Sequence, residues 1–233
     1  SDLAATENVF IGYDSGGGGW TGTLSQRNTA VGNSTMTGAM NDADQNVAVG
    51  YAALNALTTG SSNVAIGDRA GVNITTGNNN IIIGDSAGDG FDTEVENTFI
   101  GVGAGGGAIN GADACVAIGK DSLAGAATQD GTVAIGKDAL NALTSGGYNV
   151  AIGYQSGKAL TSGDSNISIG HRALEGLTDG SDNIMIGRNC AISVDDDGFD
   201  GNIGIGNYCF DGVGDYDVAN NVAIGTTALS GVM

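Results

Sequence analysis

The chain has 233 residues, with 26 acidic against seven basic side chains and a formal net charge of −19. So few cations deny electrostatic support to nucleic-acid binding, and no apolar run approaches membrane-spanning length, so membrane insertion by this segment is not expected. Gly supplies 43 residues and Pro none, and the apolar residues are mainly Ala, Val and Ile, a skew that signals repetition rather than an ordinary globular core.

The first element is Asn8-Val9-Phe10-Ile11-Gly12, and its pattern, N-[VIT]-x-[IV]-G, returns along the whole chain. The closing glycines are Gly12, Gly32, Gly50, Gly67, Gly84, Gly101, Gly119, Gly136, Gly153, Gly170, Gly187, Gly206 and Gly225. Thirteen copies at spacings of 17 to 20 residues define one repeat domain over 1–233. Residues 1–45 hold irregular first repeats, 46–187 regular repeats of 17 or 18 residues, and 188–233 longer, acidic ones. The run Gly16 to Gly19 before Trp20 lacks the G-K-[ST] ending of a phosphate loop and reads as an enlarged turn.

Each copy predicts a short strand, because its apolar period is two and not 3.6. The glycine permits a corner with positive φ. Third after it stands a small residue, such as Ala53, Ala70, Ser122 or Cys190, suited to a close crossing of neighbouring coils. Seventh after it is usually apolar, as in Leu57, Ile74, Phe91, Leu143, Leu160 and Leu177, expected to cap the interior. A turn rich in Thr, Ser, Gly, Asn and Asp then returns the chain. One coil cannot bury its own apolar face, so coils stack at about 4.8 Å and form a solenoid.

Alternation puts the two outer residues of each strand on one face and the middle residue on the other. The β-branched pair is expected inside, with Val64, Ile66, Val150, Ile152, Ile167 and Ile169 nearly fully buried. The middle residues are then outward: Ala48, Ala65, Ile82, Phe99, Ala117, Ala134, Ala151, Ser168 and Met185. An outward face so poor in long polar side chains is expected to press against another copy of the chain.

Asn opens the strand in 11 of the 13 copies, including Asn46, Asn63, Asn80, Asn149, Asn166 and Asn183. Stacked amides can bond one another as a structural ladder, or present a row for a ligand or for ice. Cys115 and Thr132 interrupt the row. Cys190 and Cys209 fall at the small position of adjacent coils, where two buried thiols or a disulfide both fit. His171 stands alone at the variable position after a corner glycine and reads as surface.

Acidic residues gather in the odd turns, among them Asp89, Asp92, Glu94 and Glu96. Asp195, Asp196, Asp197 and Asp200 are candidate calcium ligands, although neither EF-hand nor nonapeptide spacing is present, and solvated negative charge is the simpler reading. No other cofactor is expected. Paired carboxylates of a glycoside hydrolase would need an aromatic sugar platform, and Trp20 is the sole tryptophan. The chain is read as a non-enzyme.

The I-G-x-x-[AST] core with Asn opening the strand resembles the head repeats of trimeric autotransporter adhesins of the Yersinia adhesin type. It is equally similar to repeats of bacteriophage tail fibres and spikes. The long form, Asn46-Val47-Ala48-Val49-Gly50 through Leu54 to Thr58-Thr59-Gly60, lies closer to the fibres, since the adhesin repeat has a shorter return turn. The resemblance covers essentially the whole chain. It implies an all-β, left-handed parallel β-roll of about 13 coils, three chains side by side, and a role in attachment. Implied partners are further copies of the chain, other virion or surface fibre proteins, and a host glycan or protein receptor. The implied location is a virion tail fibre or the cell exterior. A bacterial surface adhesin, a carbohydrate-degrading tail spike and an ice-binding solenoid are the alternatives. Hexapeptide acyltransferases share segments such as Ile66-Gly67-Asp68-Arg69-Ala70-Gly71, but their fold needs three hexads per coil and only one obeys the rule here.

Overall fold

The computed structural model describes residues 7–19, 25–107, 111–194, 198–212 and 218–231. The fold is an all-β parallel solenoid, and no helix occurs among the described residues. The chain divides into two compact units, Ser1–Ala114 and Cys115–Met233. The first carries β1 (Val9–Ile11), β2 (Thr29–Val31), β3 (Val47–Val49), β4 (Val64–Ile66), β5 (Ile81–Ile83) and β6 (Thr98–Ile100). The second carries β7 (Val116–Ile118), β8 (Val133–Ile135), β9 (Val150–Ile152), β10 (Ile167–Ile169), β11 (Ile184–Ile186), β12 (Ile203–Ile205) and β13 (Val222–Ile224).

Within each unit every strand pairs in parallel with the next in chain order, like position on like. Val64 faces Ile81, Ala65 faces Ile82 and Ile66 faces Ile83. The second unit repeats this at Val133 on Val150, Ala134 on Ala151 and Ile135 on Ile152.

Strands are only three residues long because the glycine ends each one. Gly67 has φ 142°, where L side chains are strained, and a Cβ there would lie 2.4 Å from the carbonyl oxygen of Gly84 in the next coil. Gly153 repeats both conditions, with φ 138° and 2.3 Å to the oxygen of Gly170. No side chain fits either requirement. Beyond the corner the backbone returns to positive φ at the second and fourth residues, as at Asp138 (56°) and Leu140 (46°). A left-handed non-glycine residue costs about 1–2 kcal/mol. Coil-to-coil bonds offset that cost, Leu140 N–H donating to the oxygen of Ser156 at 3.0 Å and Asp138 N–H to that of Lys120 at 3.0 Å.

The interior reverses the expected assignment of faces. Ala65 and Ala151 are fully buried, whereas Ile66 and Ile152 are 39% and 36% exposed. Val64, Val150, Ile167 and Ile169 are only partly covered. The middle residues Ala48, Ala65, Ile82, Phe99, Ala117, Ala134, Ala151, Ser168 and Met185 all point into the coil, so they form no outward contact face. A three-residue strand between two bends has room inside for one side chain. The preference of Val and Ile for a pleated strand holds on either face, so it could not choose between them.

What fills the interior is a trade between two positions. Where the middle strand residue is small, the fourth residue after the corner is large: Leu54 accompanies Ala48, Leu123 Ala117, Leu140 Ala134 and Leu174 Ser168, all buried. Where the middle residue is large the fourth is small: Gly88 follows Ile82, Gly105 follows Phe99 and Ala191 follows Met185. A Cβ at Gly105 would lie 2.2 Å from the Phe99 ring, and one at Gly88 would lie 3.1 Å from Ile82 Cδ1. Gly204 inverts the trade, with Phe210 as its large partner. In coils with two small residues the adjacent coils reach across: a Cβ at Gly71 would meet Leu54 Cδ2 at 3.2 Å and Ile82 Cδ1 at 3.1 Å. Leu57, Ile74, Phe91, Leu143, Leu160 and Leu177, the seventh residues, close the far side and are buried.

Candidate interaction surface

The strand-opening asparagines lie inside the wall and bond along the stack. Asn63 donates from its main-chain N–H to Asn46 Oδ1 at 2.9 Å and from Nδ2 to the same oxygen at 3.1 Å. Its Nδ2 also donates to the carbonyl of Gly77 at 2.8 Å. Asn80 repeats the pattern on Asn63, Asn166 on Asn149, and Asn183 on Asn166. Amide capacity is thus spent within the solenoid, and the buried row presents nothing to a ligand. Thr132, in the same row, has a buried hydroxyl with no hydrogen-bond partner.

A second column runs two residues earlier, which sequence reasoning missed. Asn78 Oδ1 accepts from Ser61 N–H at 2.8 Å, Asp164 Oδ1 from Gly147 N–H at 2.7 Å, and Asp200 Oδ1 from Ser181 N–H at 2.7 Å. The signal was available as Asp, Ser or Asn two places before the strand Asn. It gives part of the acidic content a structural task.

Of the candidate calcium ligands, Asp195, Asp196 and Asp197 lie outside the described residues, and Asp200 caps a neighbouring coil. Among the described residues no group of three or more His, Cys, Asp or Glu is placed to hold a metal ion. Glu94, grouped above with solvated acids, is buried. Its carboxylate accepts from the N–H groups of Asp92 at 2.9 Å, Thr93 at 3.0 Å and Gly111 at 2.9 Å, and so organises an irregular turn.

All three cysteines are buried, and none of them forms a disulfide. Cys190 Sγ lies 3.6 Å from Met185 Sδ and 3.6 Å from the carbonyl oxygen of Gly204. Burial, and after it the sulfur of Cys209, pushes the Cys190 thiol up to about 12. A thiol held so far from ionisation is packing material.

Outward, two columns of strand side chains remain, one on each side of the buried middle residue. Of the 26 outward strand positions 24 are Val or Ile, the others are Thr29 and Thr98, and none carries charge. Ile11, Ile66, Ile81, Ile152, Ile205 and Ile224 are exposed. Flanking them, the first residue after each corner glycine is exposed in nearly every coil. In the second unit this rim reads Lys120, Lys137, Tyr154, His171 and Arg188 on consecutive coils. The Lys137 ammonium lies 5.6 Å from the Tyr154 ring centre, and the Tyr154 and His171 rings stack at 5.3 Å with 18° between planes.

Comparison with protein-family models, with curated proteins and with solved structures finds no match to this chain.

Proposed function

We propose that the chain is a non-enzymatic segment of an extracellular fibre, of the phage tail-fibre kind, whose copies pack side by side and attach the assembly to a host surface. The observation that carries this reading is the uncharged outward face. In a chain where 33 of 233 residues are charged, the 26 outward strand positions carry no charge in either unit, which marks a surface to be covered on each. Stacked ridges at about 4.8 Å match a partner with the same rise, and another copy of the chain is that partner. The interface therefore moves from the alanine face to the Val and Ile columns. Three copies is the number implied by the resemblance to trimeric adhesin heads and fibres.

Light scattering at micromolar concentration tests the assembly. The expected mass is about three times the 22.9 kDa chain. Val150→Lys combined with Ile152→Lys is expected to give monomers with an unchanged β-type circular dichroism spectrum. A monomeric parent chain, or a double variant that stays assembled, overturns the reading.

A further inference from the structure

We propose that the rim column Lys120, Lys137, Tyr154, His171 and Arg188 is a binding site for an acidic polysaccharide. The inference rests on the attachment role above and specifies the ligand class. Three of the seven basic residues of the chain, and its only histidine, stand in this one exposed column. The contrast within the protein is sharp. At the first and second positions after the corner glycine, from Lys120 to Tyr208, the second unit has Lys120, Lys137, Arg172 and Arg188 against Asp121 and Asp138. The same positions of the first unit carry Arg69 against Asp14, Asp68 and Asp85. Nothing in the repeat demands this difference, since both units build the same coil.

Geometry selects the ligand chemistry. Each ring already has a partner: Lys137 sits over Tyr154, Tyr154 stacks on His171, and the Arg188 guanidinium lies 4.9 Å from the Tyr208 ring centre. A neutral sugar that would stack on Tyr154 competes there with Lys137 and His171. The column instead supplies donors, a phenol hydroxyl, an imidazole and three cationic groups, spaced by the coil rise of about 4.8 Å. Carboxylates or sulfates repeating along an extended sugar chain are acceptors of that kind. Stacking also holds the side chains in place before the ligand arrives, which lowers the ordering cost of binding.

Two opposing effects are too small to prevent this. Lys137 pairs with Asp138 at 3.1 Å and Lys120 with Asp121 at 2.5 Å, but both ammonium groups stand at the surface, where ion pairs contribute only about 0–1 kcal/mol. The carboxylates elsewhere on the chain are screened beyond about 8 Å at physiological ionic strength.

The test uses the intact, assembled chain on immobilised heparin (sulfated), polygalacturonate (carboxylated), neutral dextran and poly-glutamate. Binding to at least one of the two acidic polysaccharides, falling with added salt and without retention on dextran, is expected. Lys137→Ala with Arg188→Ala is expected to weaken it about tenfold or more, while Arg27→Ala, an exposed cation of the first unit, leaves it unchanged. No retention on either acidic polysaccharide overturns the proposal, as does binding indifferent to the double substitution. Equal binding to poly-glutamate overturns it in favour of an acidic polypeptide. Light scattering on the same samples separates the two readings: lost binding with the assembly intact strikes only the ligand assignment.

Discussion

At Thr132 a hydroxyl occupies the place of an amide. In the regular coils the Asn side chain accepts the N–H of the next strand-opening residue and donates to a carbonyl 14 residues on, as Asn149 does to Gly163 at 2.8 Å. The Thr hydroxyl is too short for either task and is left buried without a partner. Thr132→Asn is expected to stabilise the protein by about 1 kcal/mol, raising Tm by about 2–4 °C in a chain of this size. A melting temperature equal to or below that of the parent contradicts this. Cys190 allows a second residue-level prediction. With its thiol held near 12, it is expected to resist alkylation at pH 8 in the native protein and to react once guanidinium unfolds the chain. Rapid native labelling at Cys190 would show an accessible thiolate in place of a packed thiol.

Within one coil, the trade between the middle strand residue and the fourth residue after the corner is a statement about volume. Gly105→Leu alone is expected to be severely destabilising, since even its Cβ would meet the Phe99 ring at 2.2 Å. Phe99→Ala alone leaves a cavity worth about 3–5 kcal/mol. Together they recreate the Ala and Leu arrangement of Ala134 with Leu140, so the double variant is expected to recover most of the loss. Denaturant titrations of the four proteins form a double-mutant cycle, and simple additivity would refute the trade. Leu140 holds φ 46° in its own coil, so the left-handed backbone at position 105, φ 60°, is no bar to Leu. The corner differs: Gly67→Ala must overcome both strained φ and a 2.4 Å approach to a backbone oxygen that cannot step aside.

For the whole molecule, neighbouring residues of β9 separate folding from assembly. Ala151→Asp places an unpaired charge in a closed interior and is expected to cost several kcal/mol, on the order that unfolds many domains. Ile152→Asp points outward, so the single chain is expected to melt within a few degrees of the parent while its self-association weakens. Thermal melts and light scattering on the two variants check this directly. If Ile152→Asp abolished folding and Ala151→Asp did not, the assignment of faces would be inverted.

The repeat alone determined much of this protein. The thirteen glycines predicted parallel strands at like positions, the small third residue and apolar seventh predicted buried columns, and the asparagine row predicted a ladder, because each depends on contacts between equivalent positions one coil apart. Which strand face is inside was not determined by that pattern. Val and Ile suit a pleated strand on either side, and the composition of the two faces admits both choices. The sequence did hold a clue in the reciprocity of Phe99 with Gly105 and of Gly204 with Phe210, which only makes sense if those residues share one space. Its meaning depended on knowing that the chain turns back so sharply that the fourth residue faces the strand it follows. The tertiary structure decided that point, through a left-handed backbone at Leu140 and its equivalents, and so placed Ala inside, left Val and Ile outside, and drew the rim from Lys120 to Arg188 into one column.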